Sequence, residues 1–291
     1  MDSKKARNLG FFFILCAAFL WAVESAAAKL AYGKDVNFLQ VVAIRSVIVV
    51  IIAFAYLLIT RKSFKVDRKE LSALFYLALA GTVFADILYF YCLTKVPLVN
   101  ALLIAHLQPI FVIIFTLLIF KEDKLTKFDY IGIGIMILAG LLVTAKSFSN
   151  ISTLQIGSVY DYLIILSTIA WASLVVVMRK YLKSVDAGAI VFYRFLIAAV
   201  FTVLLAYFYS SLGITSIYQI VVGVSVAFGF IFYYEGLKRV KGPDASAMES
   251  TTVFFAALLG IVLLGEGLTI MQVVGIVLLF IGGYVLSVKA K

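Results

Sequence analysis

Polar chemistry is scarce in this chain of 291 residues, which holds one histidine, two cysteines and three prolines. Cys16 and Cys92 both fall in apolar runs, which excludes a disulfide framework and any Cys/His metal-ligand spacing. A lone histidine excludes a His-Glu-x-x-His site, and neither a phosphate-binding P-loop nor a nucleophile elbow occurs. An enzyme is therefore not expected, nor a cofactor or bound metal. Charge is equally thin: 14% of residues are charged and 64% are hydrophobic. A soluble domain has about 25% charged and about 45–50% apolar residues. This chain cannot cover itself with polar surface in water, and reads as an integral membrane protein.

What it has instead is long apolar runs. A helix needs about 20 predominantly apolar residues to cross the hydrocarbon. Ten such runs occur, at about 9–31, 38–60, 71–93, 98–120, 129–145, 159–182, 187–210, 217–237, 243–264 and 270–288. The first is too long for a signal peptide and lacks a convincing cleavage site, so it reads as a retained span. Short connectors such as "GKDVN" and "SSLGITS" leave no room for a soluble domain.

The net charge of +10 invites a nucleic-acid reading that the positions of the basic residues remove. Of 25 Lys and Arg, 19 fall in the N-terminus, the C-terminus and alternate connectors; only Lys34, Lys95 and Lys146 fall on the other side. Lys29, Arg45 and Arg194 lie within spans. By the positive-inside rule both termini are cytoplasmic, in a multi-pass protein of the cytoplasmic membrane. The basic balance is topological, and no nucleic-acid partner is expected.

The chain also repeats itself. Aligning Trp21 with Trp171 sets Lys29 on Arg179, and one span later "AIRSVIVV" meets "FYRFLIAAV", setting Arg45 on Arg194. "LTKVPLVNA" then meets "LKRVKGPDA", Glu122 meets Glu266, and "DYIGIGIMILAG" meets "QVVGIVLLFIGG". A repeat of five spans is odd, so the second copy enters the membrane from the opposite side. The expected fold is all-α, with ten transmembrane helices in two inverted five-helix repeats, residues 1–150 and 151–291. Inverted repeats of this kind are a hallmark of secondary transporters.

These residues carry a family resemblance along nearly the whole chain. Trp21 with Lys29, Arg45, their second-half partners, Pro109, Glu122, Glu266 and the glycines Gly132, Gly140, Gly275 and Gly283 resemble the EamA branch of the drug/metabolite transporter superfamily. The resemblance implies export of amino acids or other small metabolites; some relatives exchange nucleotide sugars or phosphorylated sugars. The family pattern has Glu before the span-4 proline, where this chain has Gln108, and its second-half counterpart reads Thr252-Val253.

A set of charged residues lies inside the spans. Glu24, Arg45, Asp86 and His106 sit about 5–7 Å to the outer side of their span midpoints at about 1.5 Å per residue. Arg194 and Glu249 sit at similar distances on the inner side, with Glu235 deeper. Facing lipid, six such charges would cost on the order of 15–20 kcal/mol, more than the stability of most folds. They must face the bundle interior. Lys29, about 140° around the helix from Glu24, is not its intrahelical partner and reads as an anchor snorkelling to the outer interface. Glu235 reads as an ion-pair partner of Lys238 and Arg239 one turn on. Pro109 removes the N–H that would bond the Ala105 carbonyl, so span 4 is expected to kink beside His106.

The candidate substrate-binding set is therefore Trp21, Glu24, Arg45, Asp86, Tyr89, His106, Trp171, Arg194, Tyr234 and Glu249. Glu24 and Asp86 are the candidates for proton coupling. Four carboxylates against two or three cations suit a zwitterion such as an amino acid, moved by alternating access and, by the resemblance, exported. The expected partners are that small molecule, protons and membrane lipid, for a monomer or homodimer. A hydrophobic-cation or drug exporter holding its cargo on Glu24 beside Trp21 is the alternative within transport. A lipid scramblase would require a polar groove open to lipid.

Overall fold

The computed structural model describes residues 3–120, 126–145, 147, 149–150, 157–240 and 248–288. In chain order its helices are α1 (Ser3–Tyr32), α2 (Phe38–Ile59), α3 (Arg68–Leu93), α4 (Leu98–Ala105 and Gln108–Phe120) and α5 (Lys127–Ala145). The second set is α6 (Val159–Tyr181), α7 (Ala187–Tyr209), α8 (Ile217–Leu237), α9 (Thr251–Leu264) and α10 (Ile270–Val288). No strand occurs among the described residues. Eight of these helices are long and apolar enough to cross a membrane, and Thr251–Leu264 and Ile270–Leu286 are shorter apolar helices. Residues 241–247, including Pro243, and Glu122 in the connector before α5 lie outside the described residues.

Local chemistry starts many of these helices. Asn37 accepts the Leu39 N–H and Asp186 the Gly188 N–H, while Asp67 with Glu70, Ser158 with Asp161 and Ser216 with Gln219 form reciprocal capping boxes. Each cap stabilises its helix by about 1 kcal/mol. All five caps sit in short connectors, so the chain re-enters the bundle at defined points.

The packing carries the repeat into three dimensions. The dominant pairings join the halves: α1 with α8, α3 with α6, α1 with α9, α4 with α6, α2 with α8, and α3 with α7. Exchanging α1–α5 with α6–α10 turns each of these into another member of the set. The pairs α2 with α7, α4 with α9 and α5 with α10 map onto themselves. Neither half is a bundle with its own core; each is completed by the other about a pseudo-two-fold axis. The α5–α10 pair shows how sequence permits this. A Cβ on Gly132 would lie 2.6 Å from Leu286 of α10, and a Cβ on the equivalent Gly275 would lie 2.6 Å from Val143 of α5. Small residues let two helices approach closely where lipid offers no hydrophobic drive for association.

Two helices leave regular α geometry. In α3, residues Leu77–Asp86 form a π-helix, a rarity at ten residues and one that sequence reasoning did not foresee. In α4, the kink expected from Pro109 is a full break: the first helix ends on Ala105, His106 and Leu107 form a turn, and the second helix starts at Gln108.

Lys29 is not the free interfacial anchor that its position suggested. Its Nζ lies 2.9 Å from Glu266 Oε1 and donates to the Val96 carbonyl at 2.5 Å. Glu266 also accepts the Leu98 N–H at the start of α4. Glu266 follows α9, so the lysine ties the first half to the second instead of reaching for water. Glu235 pairs with Lys238 at 2.5 Å and Arg239 at 2.8 Å as its spacing implied, and also accepts the Tyr56 hydroxyl.

Candidate functional site

The middle of the bundle holds a knot of charge. Arg45 of α2 donates from Nε to Glu24 Oε1 of α1 at 2.5 Å and from Nη1 to Asp86 Oδ2 of α3 at 2.6 Å. All three are at least nine-tenths buried. The rings of Phe90 and Phe195 each lie 5.2 Å from the Arg45 guanidinium carbon, adding cation–π attraction. Trp171 Nε1 donates to the remaining oxygen, Asp86 Oδ1, at 2.8 Å. Glu24 and Asp86 are thus both hydrogen-bonded by one guanidinium, the kind of direct pairing that makes buried charge tolerable.

Arg194 of α7 is the repeat's equivalent of Arg45 and is served differently. Its Nε donates to Thr82 Oγ1 at 2.9 Å, and Nη2 stands 3.9 Å from Asp86 Oδ2, beyond hydrogen-bond distance. The alignment that pairs the arginines sets Leu174 opposite Glu24 and Phe230 opposite Asp86. The second half therefore lacks the two carboxylates that hold Arg45. A guanidinium has five N–H donors, and no other acceptor for those of Arg194 occurs among the described residues. Phe195 and Phe230 lie 5.3 Å from its carbon. Space is left for it by Gly81, within the π-helix: a Cβ there would sit 2.4 Å from Leu174 and 3.0 Å from Arg194 Nη2.

The two tryptophans show the symmetry most directly. Trp171 packs on Tyr89 with ring centroids 5.2 Å apart, and Trp21 packs on Tyr233 at 5.1 Å. Tyr233, equivalent to Tyr89, was not among the sequence candidates, although the repeat offset points to it. Beyond Tyr233 lies Glu249, half-buried at the approach to α9, whose Oε2 accepts the Tyr233 hydroxyl at 3.0 Å. No cation pairs with Glu249 among the described residues. The His106 ring, in the α4 break, bonds the Leu102 carbonyl at 2.7 Å and lies near the backbone of Glu249. Tyr234 stacks on Phe230, contacts Met178 Sδ, and lies within electrostatic reach of both Arg194 and Glu249.

The expected layering is therefore redrawn. Glu24, Arg45, Asp86 and Trp171 form one knot that Arg194 approaches, and Tyr89 adjoins it, joined to Ser25 by a hydroxyl pair at 3.1 Å. His106 leaves that group and joins Glu249, Tyr233 and Trp21. Tyr234 connects the two clusters. Thr82 was missed as a partner because helical spacing alone does not reveal a contact across 112 residues.

On the face carrying the N-terminus, a cleft of about 400 Å³ lined by Ser184, Asp186, Ile190, Leu237 and Lys238 reaches Tyr234. A lateral cleft of about 410 Å³ lies beside the π-helix, lined by Phe38, Val83, Phe84, Ile87, Leu88, Tyr91 and Leu205. Apart from the Tyr91 hydroxyl its walls carry no polar side chain, so it is not the polar track that a scramblase requires.

An inverted helical repeat closed around paired charges defines a multi-pass membrane protein of the secondary-transporter class. The chain belongs to the EamA-like transporter family, whose model matches residues 8–145 and 158–288. It is 27% identical over 241 residues to an uncharacterized transporter of Methanothermobacter thermautotrophicus, covering 78% of this chain and 67% of the relative. It is 28% identical over 189 residues to the pseudopaline exporter CntI of Pseudomonas aeruginosa, a match spanning 65% of this chain and 63% of the exporter. Human solute carrier family 35 member G1 is 24% identical over 88% of this chain and 72% of its own. A crystal structure sharing 16% sequence identity superposes with a TM-score of 0.66 over 99% of this chain and 98% of its own, a likeness of fold.

Proposed function

We propose that this protein carries a small zwitterion, an amino acid or a related metabolite, out across the cytoplasmic membrane by alternating access. One observation carries the reading: among the described interior residues, Arg194 has no carboxylate and Glu249 no cation in hydrogen-bond contact, and the two have opposite sign and lie within electrostatic reach of Tyr234. A carboxylate on the cargo would take the free Arg194 donors and an ammonium would take Glu249. Trp21, Tyr233 and Tyr234 would form the wall between them, while Arg45, Glu24, Asp86 and Trp171 hold the frame.

In this reading the halves, residues 1–150 and 151–291, exchange conformations about the pseudo-two-fold axis, and both termini are cytoplasmic. The cleft that reaches Tyr234 opens on the basic face, which makes it the cytoplasmic entrance. Export is supported by the name of one relative, an exporter. Proton coupling belongs to the same reading, since a bundle with ionisable interior walls can trade protons with its cargo.

The test is counterflow in proteoliposomes. Vesicles loaded with single unlabelled amino acids accumulate the same labelled amino acid if it is a substrate. Arg194→Gln should abolish accumulation of any amino acid that wild type carries. If wild type carries none of the twenty common amino acids, the substrate class is wrong. If Arg194→Gln carries one normally, the site is wrong.

A further inference from the structure

Glu24, Asp86 and Glu249 differ in how their charge is answered. Arg45 binds Glu24 and Asp86 at 2.5 and 2.6 Å, and Arg194 stands 3.9 Å from Asp86. Two acids and two guanidiniums leave that knot electrically balanced, so a proton added to Glu24 or Asp86 would strand a buried guanidinium. Glu249 receives one neutral donor, the Tyr233 hydroxyl at 3.0 Å. A carboxylate within a membrane bundle is costly as an isolated ion and is made neutral by a proton or by a cation.

The surroundings of Glu249 narrow the choice. From α8 it meets Tyr233, with Tyr234 within electrostatic reach, both phenols. From the α4 break comes His106, whose Nδ1 is engaged by the carbonyl of Leu102 at 2.7 Å. From α1 comes Trp21, packed on Tyr233, and α10 brings Gly283 beside Ser250. Lys241 and Asp244 lie outside the described residues. Among the described groups, none supplies a standing positive charge to Glu249.

We infer that Glu249 is the exchange carboxylate of this transporter, neutralised by a proton when the site is empty and by the cationic group of the cargo when it is filled. The inference rests on the transport reading above. The step balances: the carboxylic acid and an ammonium ion give a carboxylate–ammonium pair and one proton released to the open side of the bundle. Reversal on the far side returns the proton and frees the cargo. Glu24 and Asp86 keep their charge throughout and act as framework. Tyr233 positions the carboxylate, since its hydroxyl can stay a donor in both states.

Infrared difference spectroscopy of the reconstituted full chain tests this without knowledge of the cargo. On a pH step, wild type should show a carbonyl band of a protonated carboxylic acid. Glu249→Gln should lose it, while Glu24→Gln and Asp86→Asn retain it. Tyr233→Phe should shift the band without removing it, a readout that survives if Glu249→Gln fails to fold. A band that persists in Glu249→Gln and is unmoved in Tyr233→Phe overturns the inference, as does its loss in Glu24→Gln or Asp86→Asn alone. A second arm adds an equimolar mixture of the twenty common L-amino acids and follows proton release with a pH dye. Loss of the band in Glu249→Gln with no release from wild type would reject the amino-acid reading and leave Glu249 in its role. Release that continues in Glu249→Gln would keep the amino-acid reading and reject Glu249.

Discussion

Arg45 and Arg194 stand at equivalent turns of the two halves and share the ring of Phe195, at 5.2 and 5.3 Å, yet only Arg45 has carboxylates in hydrogen-bond contact. The scaffold is symmetric and its chemistry is not. Leu174 and Phe230 stand where symmetry would put the partners of Arg194. One guanidinium is locked and the other is held chiefly by Thr82.

Removing the locked guanidinium should therefore be a stability defect first. Arg45→Met leaves Glu24 buried without its ion-pair partner and Asp86 with only the Trp171 N–H in hydrogen-bond contact, a loss of about 3–5 kcal/mol for a broken buried pair. Thermal unfolding in detergent should show a large drop in midpoint, recovered in part by adding Glu24→Gln. Arg45→Lys should recover little, because a single ammonium lacks the rigid fork that reaches two carboxylates at once.

Arg194→Lys should separate stability from transport. Its described framework bond goes to the Thr82 hydroxyl, so the unfolding midpoint should fall less than in Arg45→Met. Cargo affinity should fall at least tenfold, about 1.4 kcal/mol, measured as the concentration dependence of counterflow. Gly81→Ala should give a related phenotype without touching a charge. Its added Cβ would lie 2.4 Å from Leu174 and 3.0 Å from Arg194 Nη2, pushing the guanidinium aside.

The tryptophans should not be equivalent under the same substitution. Trp171→Phe keeps an aromatic ring on Tyr89 and removes the donor to Asp86 at 2.8 Å, which costs about 1–3 kcal/mol at a buried acceptor. Trp21→Phe keeps the contact with Tyr233 and removes an indole N–H that has no acceptor among the described residues. Thermal shifts of the two single variants should differ in that order.

On the face opposite the N-terminus, Lys29 and Glu266 are three-quarters buried or more and join the halves at 2.9 Å. Lys29→Met should destabilise the bundle, and the charge-swapped pair Lys29→Glu with Glu266→Lys should not restore it. The reason is the Leu98 N–H, which Glu266 accepts and a lysine cannot. A double-mutant cycle on unfolding midpoints measures the coupling.

Much of this architecture was legible before any coordinates. Span length, the placement of 19 basic residues on one side and the match of Trp21, Arg45 and Glu266 to Trp171, Arg194 and Glu122 are one-dimensional properties. They follow from the thickness of the hydrocarbon and from the odd number of spans per repeat. The kink at Pro109 was equally local, because a missing N–H acts on its own helix. The π-helix in α3 was not legible: nothing in "LALAGTVFAD" names it, and it lies where Gly81 closely approaches Leu174 and Arg194 of the other half. Lys29 misled because its partner lies far along the chain, in the connector before α10.

By itself, then, the sequence determined that the chain lives in a membrane, that it is built twice, and which side chains cannot face lipid. Those conclusions need only transfer energies and a count of residues. Which acid meets which base was decided by tertiary structure alone. Every dominant helix pairing joins one half to the other, so the neighbours of a buried charge come from segments that no local pattern brings together. That crossing made Arg45 a keystone, left Arg194 with donors to spare, and set Glu249 against a tyrosine instead of a cation.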